Sequence, residues 1–440
     1  MKAAAKAAKP ERLSRADSAR WHMGTPENPM VIGALLHFER PLRLAALRDL
    51  VRDRLLPHRR FRQHVVEASH PFGAPCWRED VELDLDEHVL QLDPAERPDL
   101  AALAELCEER LNHPLPSNRS PWRFELMQLA TGGSALLVRV HHAIADGRAL
   151  VELLQQLADE TLAAPVPEPR AAAGPGQALV PARRAPFFKR LAGLFRIVGL
   201  SGDPEGLLRH PLNGYKHVAW STPIPLASIK RLAEAGNHHV ADVLLAAVTG
   251  ALDRYEREHG QVPQPVHALL PVAMPQATDG ALGNHYASVF VRLPLDLADP
   301  QARVAVIARD MSNVRAGGQS QVVAGLTRLA GSVAPAIEQW AVRRWSRRAS
   351  LVVSSLAGPT VPLHLAGQLL QSIVIFAPAP ASVGLSLTCF GYAGALRLGV
   401  LADGAVIERP EDLVTAFEDA IDELGRGGAA GVPARAAGRG

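Results

Sequence analysis

Cysteine is scarce. Cys76, Cys107 and Cys389 are the only three in 440 residues, far apart and without CxxC spacing. That argues against a disulfide framework and against a cysteine-based zinc site, and a reducing interior is the expected setting. An excess of one charge is also missing: 47 Lys and Arg face 45 Asp and Glu, a net of +2. Nucleic-acid binding, which shows as a strong basic excess, is therefore not expected. The segment from Met1 to Arg12 has no apolar h-region, so no secretory signal is visible and a cytoplasmic location is expected. No GxGxxG or GxxxxGK[ST] stands between suitable flanks, which excludes nucleotide phosphates held by a loop of that kind. The scattered histidines (His58, His64, His88, His210, His238, His239, His285) show no HxxH or HExxH spacing, so no metal is assigned. Cys107, on an apolar helix face, and Cys389, in an apolar strand, read as small core residues.

One further absence needs weighing. Between Arg348 and Arg397 there is no Asp, Glu, Lys or Arg. The length would suffice for a bilayer span of about 20 residues. Yet Pro359, Pro362, Pro378 and Pro380 interrupt it, and a spanning helix would lose backbone hydrogen bonds there that lipid cannot replace. The segment is expected to form two or three buried strands joined by turns, either a plain sheet core or an apolar wall for a lipid substrate.

What is present is an ordinary globular composition, 48% apolar and 21% charged, on a chain long enough for two domains of about 200 residues. No internal repeat of fixed period occurs. The stretch 161–186 (TLAAPVPEPRAAAGPGQALVPARRAP) carries repeated Pro with Ala and Gly and reads as a semi-rigid linker. It separates an N-terminal domain, 1–160, from a C-terminal domain, 187–425, and the Gly/Ala-rich 426–440 reads as a disordered tail. Apolar spacing predicts helices over 42–55, 100–111, 147–162 and 242–255, with strands over 134–140 and 289–295, and 30–38 is a short apolar run. Strands and helices interleave in both halves, which predicts an α/β fold of α+β layers.

The only compact catalytic constellation is His141-His142-Ala143-Ile144-Ala145-Asp146-Gly147. It follows a short apolar strand, SALLVRV, and opens a helix in which Leu150, Leu153, Leu154 and Leu157 repeat at helical spacing. A histidine at the end of a buried strand is held rigidly, and imidazole suits proton abstraction near neutral pH. A carboxylate four residues on can orient the ring or the turn, and Gly147 permits a close turn. The plainer alternative makes His142 a strand-end residue and Asp146 a helix N-cap.

This HHxxxDG and its surroundings resemble the bacterial wax ester synthase/diacylglycerol acyltransferase family. More broadly they are similar to coenzyme A-dependent acyltransferases of the chloramphenicol acetyltransferase type. The resemblance runs from about Leu13 to Leu401 through LSRADSARW, PMVIGALLHF, PLPSNRSPWRFELM, VADVLLAAVTGALDRY, GNHYASVFVRLPLD, SSLAGPTVPLHLAG and SVGLSLTCFGYAGALRLGVLAD. It implies two chloramphenicol acetyltransferase-like domains, each a mixed sheet with flanking helices, and an active-site tunnel at their interface. It also implies transfer of a long-chain acyl group from acyl-CoA, as substrate rather than cofactor, to a fatty alcohol or diacylglycerol. No other cofactor is implied. By the resemblance His142 is the general base, Asp146 is structural and orienting, and His141 is supporting. Asn284, Ser386 and Thr388 are candidate donors to the substrate or its oxyanion.

Three departures from the family pattern bear on substrate range and catalytic vigour. Ala241-Asp242 stands where an Asn-Asp pair is usual, Ser354-Ser355-Leu356-Ala357-Gly358-Pro359 where SNVPGP is usual, and Gly384-Leu385-Ser386 where Gly-Leu-Asn is usual. Two alternatives stay open. One is an acyltransferase or condensation enzyme fed by a carrier protein, because HHxxxDG is shared with condensation domains. The other is a catalytically weakened lipid-binding or lipid-droplet surface protein. Basic residues alternate with apolar ones over 183–197, and Trp340, Arg343, Arg344, Trp345, Arg347 and Arg348 form a second cluster. Such stretches suit an anionic membrane or droplet surface or the phosphates of coenzyme A, as well as a helix packed on its own domain.

Overall fold

A computed structural model describes residues 10–430 except 71–72, 82, 94–96, 160–201, 274–283, 285, 317–321, 324 and 326–334. The expected linker at 161–186 and the basic stretch at 183–197 lie outside the described residues. The first half runs β1 (Glu11–Arg12), α1 (Arg15–Met23), β2 (Val31–Phe38), α2 (Leu44–Leu50) and a π turn (Val51–Leu55). It continues through β3 (Gln63–Val66), β4 (Cys76–Glu79), α3 (Leu85–His88), β5 (Val89–Gln91), α4 (Leu100–Asn112), β6 (Trp122–Gln128), β7 (Ser134–His141) and α5 (Gly147–Leu157). The second half holds β8 (Lys216–Trp220), β9 (Ile224–Pro225), α6 (Leu226–Ala235), α7 (Val240–Glu258), β10 (Val266–Ala273) and β11 (Tyr286–Leu293). Then follow α8 (Pro300–Ala316), α9 (Pro335–Ser346), β12 (Leu351–Ala357), β13 (His364–Leu365), β14 (Gln368–Phe376), β15 (Leu385–Tyr392), β16 (Ala395–Asp403) and α10 (Pro410–Ala430).

The result is a mixed α/β architecture of two large sheets with flanking helices. The charge-free stretch, expected to form two or three strands, supplies four, β12 to β15, because the short β13 pairs with β14. The expected helix over 147–162 ends earlier, at Leu157, where Ala158 turns to extended backbone. The expected tail begins later than 426, because α10 continues to Ala430.

The C-terminal sheet has the order β11-β10-β12-β15-β16-β8, with β9 added on β16. One face is mostly apolar (Val289, Val291, Leu351, Val353, Leu387, Cys389, Leu398) and packs on α7 and α10. Helix α7 is buried for most of its length because small residues (Ala241, Ala246, Ala247, Gly250, Ala251) line it between larger ones. The strand register puts Tyr286, Ser288 and Phe290 of β11 on the opposite face. Ser354 and Leu356 of β12 and Ser386, Thr388 and Phe390 of β15 join them there.

That second face meets the N-terminal sheet, whose order is β13-β14-β2-β7-β6-β5. Its strands do not come from one half of the chain. β13 and β14 leave the C-terminal half and extend the N-terminal sheet, β14 pairing antiparallel with β2 from Gly33↔Phe376 to Phe38↔Leu370. β14 also lies across β15 and β16. The approach is so close at Gly399 that a Cβ there would sit 2.3 Å from the Ile375 carbonyl oxygen, so glycine is required for packing.

A buried ion pair locks β7 in place. Arg139 donates to both carboxylate oxygens of Glu125 on β6 at 2.9 and 3.1 Å, with relative exposures of 1% and 0%. Its third nitrogen donates to the Arg110 and His113 carbonyls at the C-terminal end of α4. The strand that delivers the histidine motif is thereby tied to its neighbour and to a helix end.

Candidate active site

His142 follows the last residue of β7, and its backbone N–H donates to the Met30 carbonyl at 2.7 Å. Its side chain is buried against the C-terminal half. Tyr286, the first residue of β11, places its hydroxyl 3.3 Å from His142 Nε2. Asn284 donates from Nδ2 to the His142 carbonyl at 2.8 Å and to Asp17 Oδ1 at 2.9 Å. Three parts of the chain thus converge on one imidazole: α1, the turn after β7, and the start of β11.

Burial lowers the His142 pKa, and the Arg20 guanidinium lowers it further; its own carbonyl, Asp146 and Asn284 act in the opposite sense. The net direction is down, so the ring is neutral at ordinary pH and can accept a proton. His141 has another task. Its Nδ1 accepts the Ala143 N–H at 3.1 Å and its ring tilts against Trp21 with centroids 4.7 Å apart. Burial, and secondarily His142, push its pKa down to about 3, so it stays neutral and shapes the turn.

Asp146 caps α5, its Oδ1 accepting the Ala149 N–H at 3.0 Å, and its charge favours the imidazolium of His142. Gly147 has a packing reason to be glycine. A Cβ there would lie 3.0 Å from Leu356 Cδ1, so the turn rests directly on β12 of the other half. Ser386 Oγ and Thr388 Oγ1 are buried without hydrogen-bond partners on the sheet face that looks toward this turn. No contact brings either one to His142; they lie on β15, three strands from Tyr286.

An apolar cavity starts where the turn ends. Its volume is about 100 Å³, and its lining extends from Gly147, Ile32 and Val140 to Phe38, Leu42 and Leu136. Along β2 the lining runs from residue 32 to residue 38, about 20 Å at roughly 3.3 Å per residue. The walls come from β2, β7, α2 and α5, with Ile373 and Ile375 of the donated β14 and with Leu356 and Phe390 from the other half. No charged side chain lines it.

Residues 13–202 match the wax ester synthase/diacylglycerol acyltransferase catalytic domain, and residues 282–425 match the WS/DGAT C-terminal domain. The chain belongs to the wax ester synthase/diacylglycerol acyltransferase family. Proteins of Mycobacterium bovis and Mycobacterium tuberculosis, both named as diacylglycerol O-acyltransferases, are each 26% identical over 425 residues, covering 90% of this chain and 91% of the relative. A solved wax ester synthase/diacylglycerol acyltransferase from Marinobacter aquaeolei superposes with a TM-score of 0.70 at 20% identity, covering 95% of this chain and 100% of that one. The first condensation domain of the calcium-dependent antibiotic synthetase superposes with a TM-score of 0.63 at 17% identity, with 96% of each chain covered. The fold is therefore the one these acyltransferases and condensation domains share, with two chloramphenicol acetyltransferase-like domains.

For this WS/DGAT family member, the motif residues named from sequence all lie on one strand–turn–helix corner. Three residues that the sequence reading did not single out join them: Asp17, Arg20 and Tyr286. Helix α1 is polar, yet Asp17, Ser18, Arg20 and His22 are all buried. Charged residues are almost never fully buried without a partner, so a polar helix in an otherwise apolar chain was the available signal.

Proposed function

We propose that the protein transfers a long-chain acyl group from coenzyme A to the hydroxyl of a fatty alcohol or diacylglycerol, with His142 as the general base. The observation that carries this reading is a neutral, buried imidazole at a strand end, five residues from Gly147 in the lining of an apolar cavity that follows β2 for about 20 Å. The cavity takes the acyl chain and so brings the thioester to the turn. His142 removes the hydroxyl proton of the acceptor as its oxygen adds to the thioester carbonyl. When the carbon–sulfur bond breaks, the imidazolium returns that proton to the leaving thiolate. Asp146 supports the imidazolium electrostatically and caps the helix, and Asn284 holds the carbonyl of His142 from behind.

The test is incubation of the purified protein with palmitoyl-CoA and either hexadecan-1-ol or a diacylglycerol, following free thiol and identifying the ester. His142→Ala is expected to lower turnover by about 10²–10⁴-fold, the usual worth of a positioned base. An unchanged rate would remove the assignment. Palmitoyl loaded on an acyl-carrier protein serves as the competing donor, and a preference for it would favour the carrier-fed alternative.

Contact with a lipid surface fits helix α9. Ile337 and Trp340 are 55% and 68% exposed one turn apart, and the exposed Arg343, Arg344 and Arg347 follow them. That pairing of apolar anchors with arginines suits an anionic lipid interface. Flotation with vesicles of anionic phospholipid should carry the protein, and Trp340→Ser should weaken it. Among the described residues no helix is long and apolar enough to cross a membrane.

A further inference from the structure

Of the buried polar residues of α1, Asp17 is engaged by Asn284 and Ser14, and His22 by Glu338 and Glu67. Arg20 is different. It is 3% exposed, forms no ion pair among the described residues, and its Nε has no partner. Its polar contacts are long: the Tyr286 carbonyl at 3.5 Å and Met23 Sδ at 4.0 Å. A guanidinium removed from water without a carboxylate is costly, so its place calls for a reason other than stability. What it does touch is aromatic. Its Cζ lies 4.2 Å from the centroid of the Tyr286 ring, in cation–π geometry. The hydroxyl of that ring is the group on His142 Nε2. Cation, ring, hydroxyl and base form one connected series.

The chemistry of the phenol decides its role. Burial raises the Tyr286 pKa above its ordinary 10, with Arg20 opposing and Asp146 adding to the rise. The hydroxyl therefore stays protonated and acts as a donor. With the ring proton of His142 on Nδ1, it donates to Nε2, and an acceptor alcohol that takes over Nε2 frees it beside the reacting carbon.

Resting on the acyl-transfer reading above, we infer that Tyr286 is a further catalytic residue whose hydroxyl donates a hydrogen bond to the oxyanion, and that Arg20 is its positioning residue. As the alcohol oxygen bonds to the thioester carbon, its proton goes to Nε2 and the carbonyl π pair moves onto oxygen. Tyr286 lends a hydrogen bond there and keeps its own proton. The C=O re-forms as the C–S pair leaves with sulfur, and His142 protonates the thiolate. Arg20 supplies positive charge behind the ring, where negative charge develops in front. Asn284 is less suited, since both donors of its amide are already committed to Asp17 and His142. Ser386 and Thr388 lie on a strand about 14 Å across the sheet from that of Tyr286, at roughly 4.8 Å per strand.

The test uses Tyr286→Phe, Arg20→Met and Arg20→Lys beside wild type and His142→Ala, with palmitoyl-CoA and hexadecan-1-ol. Tyr286→Phe keeps the ring and its stacking, and kcat should fall about 10²–10³-fold, the cost of one lost oxyanion donor. The KM for palmitoyl-CoA should hold within about twofold, because the lost interaction exists only in the transition state. Among the described residues, the charged and titratable groups around His142 are Arg20 and Asp17 from α1, Tyr286 from β11, and His141 and Asp146 from its own turn. Removing the cation in Arg20→Met should move the acid limb of the pH–rate profile to higher pH, while Arg20→Lys leaves it in place. A merely structural role would not separate those two variants.

A Tyr286→Phe enzyme as fast as wild type overturns the oxyanion role. Identical acid limbs in Arg20→Met and wild type overturn the role of Arg20. Should Tyr286→Phe melt far below wild type, its kcat and KM are read below its own melting temperature, and a kcat within about twofold of wild type there overturns the oxyanion role. No thiol release from wild type, or a fully active His142→Ala, would instead remove the acyl-transfer reading itself.

Discussion

Replacing Ala34 with phenylalanine probes what the cavity holds. Ala34 sits on β2, paired with Val138 of β7 and Ile375 of β14, and all three line the cavity. It lies two residues beyond Ile32, about 7 Å from the catalytic end, with about 13 Å of cavity continuing to Phe38 at roughly 3.3 Å per residue. A ring there closes the distal part. A palmitoyl chain that must withdraw only four methylenes from apolar contact loses about 3 kcal/mol, at about 0.8 kcal/mol per methylene. That is a loss of about 10²-fold in kcat/KM. Hexanoyl-CoA, too short to reach the far end, should keep most of its rate. The assay is thiol release across acyl-CoAs of increasing length with one alcohol, then across alcohols with one acyl-CoA. An equal loss for short and long acyl donors, or a change confined to the alcohol series, would refute the assignment of the cavity to the acyl chain.

Other predictions concern pH and packing. Because burial and Arg20 hold His142 below 6.5, kcat/KM should stay level from neutrality downward and fall only below about 6.5; an acid limb centred above 7 would contradict this. His22 on α1 behaves oppositely: burial alone would depress it, but hydrogen bonds to Glu338 of α9 and to Glu67 raise it to about 9. Its contribution, about 3 kcal/mol, is complete below the unfolded value near 6.5 and lost as pH rises through about 9. Denaturant titrations across that range should show the loss, and His22→Asn should flatten it. Arg139→Met strands the buried Glu125 carboxylate and should destabilise by about 3–5 kcal/mol, whereas joining it with Glu125→Met should restore much of that. Gly399→Ala forces β14 away from β16 and should lower stability by about 1–3 kcal/mol in thermal unfolding.

The strand, turn and helix around His142 were legible because every signal in them is local. Apolar residues fill β7, Asp146 caps, and leucines repeat along α5, all within some twenty-five residues. What stayed hidden depends on partners far along the chain. Periodicity shows that β2 has two apolar faces; it does not show that β14 covers its free edge. The sequence division at 161–186 gave no sign that two later strands return to the first sheet. Arg20 and Tyr286 belong to segments whose resemblance was noted without assigning either residue a role. Their meeting over His142 follows from α1 packing beside β11, which no spacing rule encodes. Arg139 and Glu125 were similarly silent, each an isolated charge within a strand until the sheet pairs them.

The return of β14 also has a meaning for biogenesis. During synthesis, the edge of β2 and the greasy channel beneath it remain uncovered until β14, Gln368–Phe376, has emerged. A truncated product would therefore present an open sheet margin and a hydrocarbon-lined gutter to its surroundings, inviting aggregation or chaperone capture. The formation of the cavity is thus coupled to the synthesis of β14, long after β2 has been made.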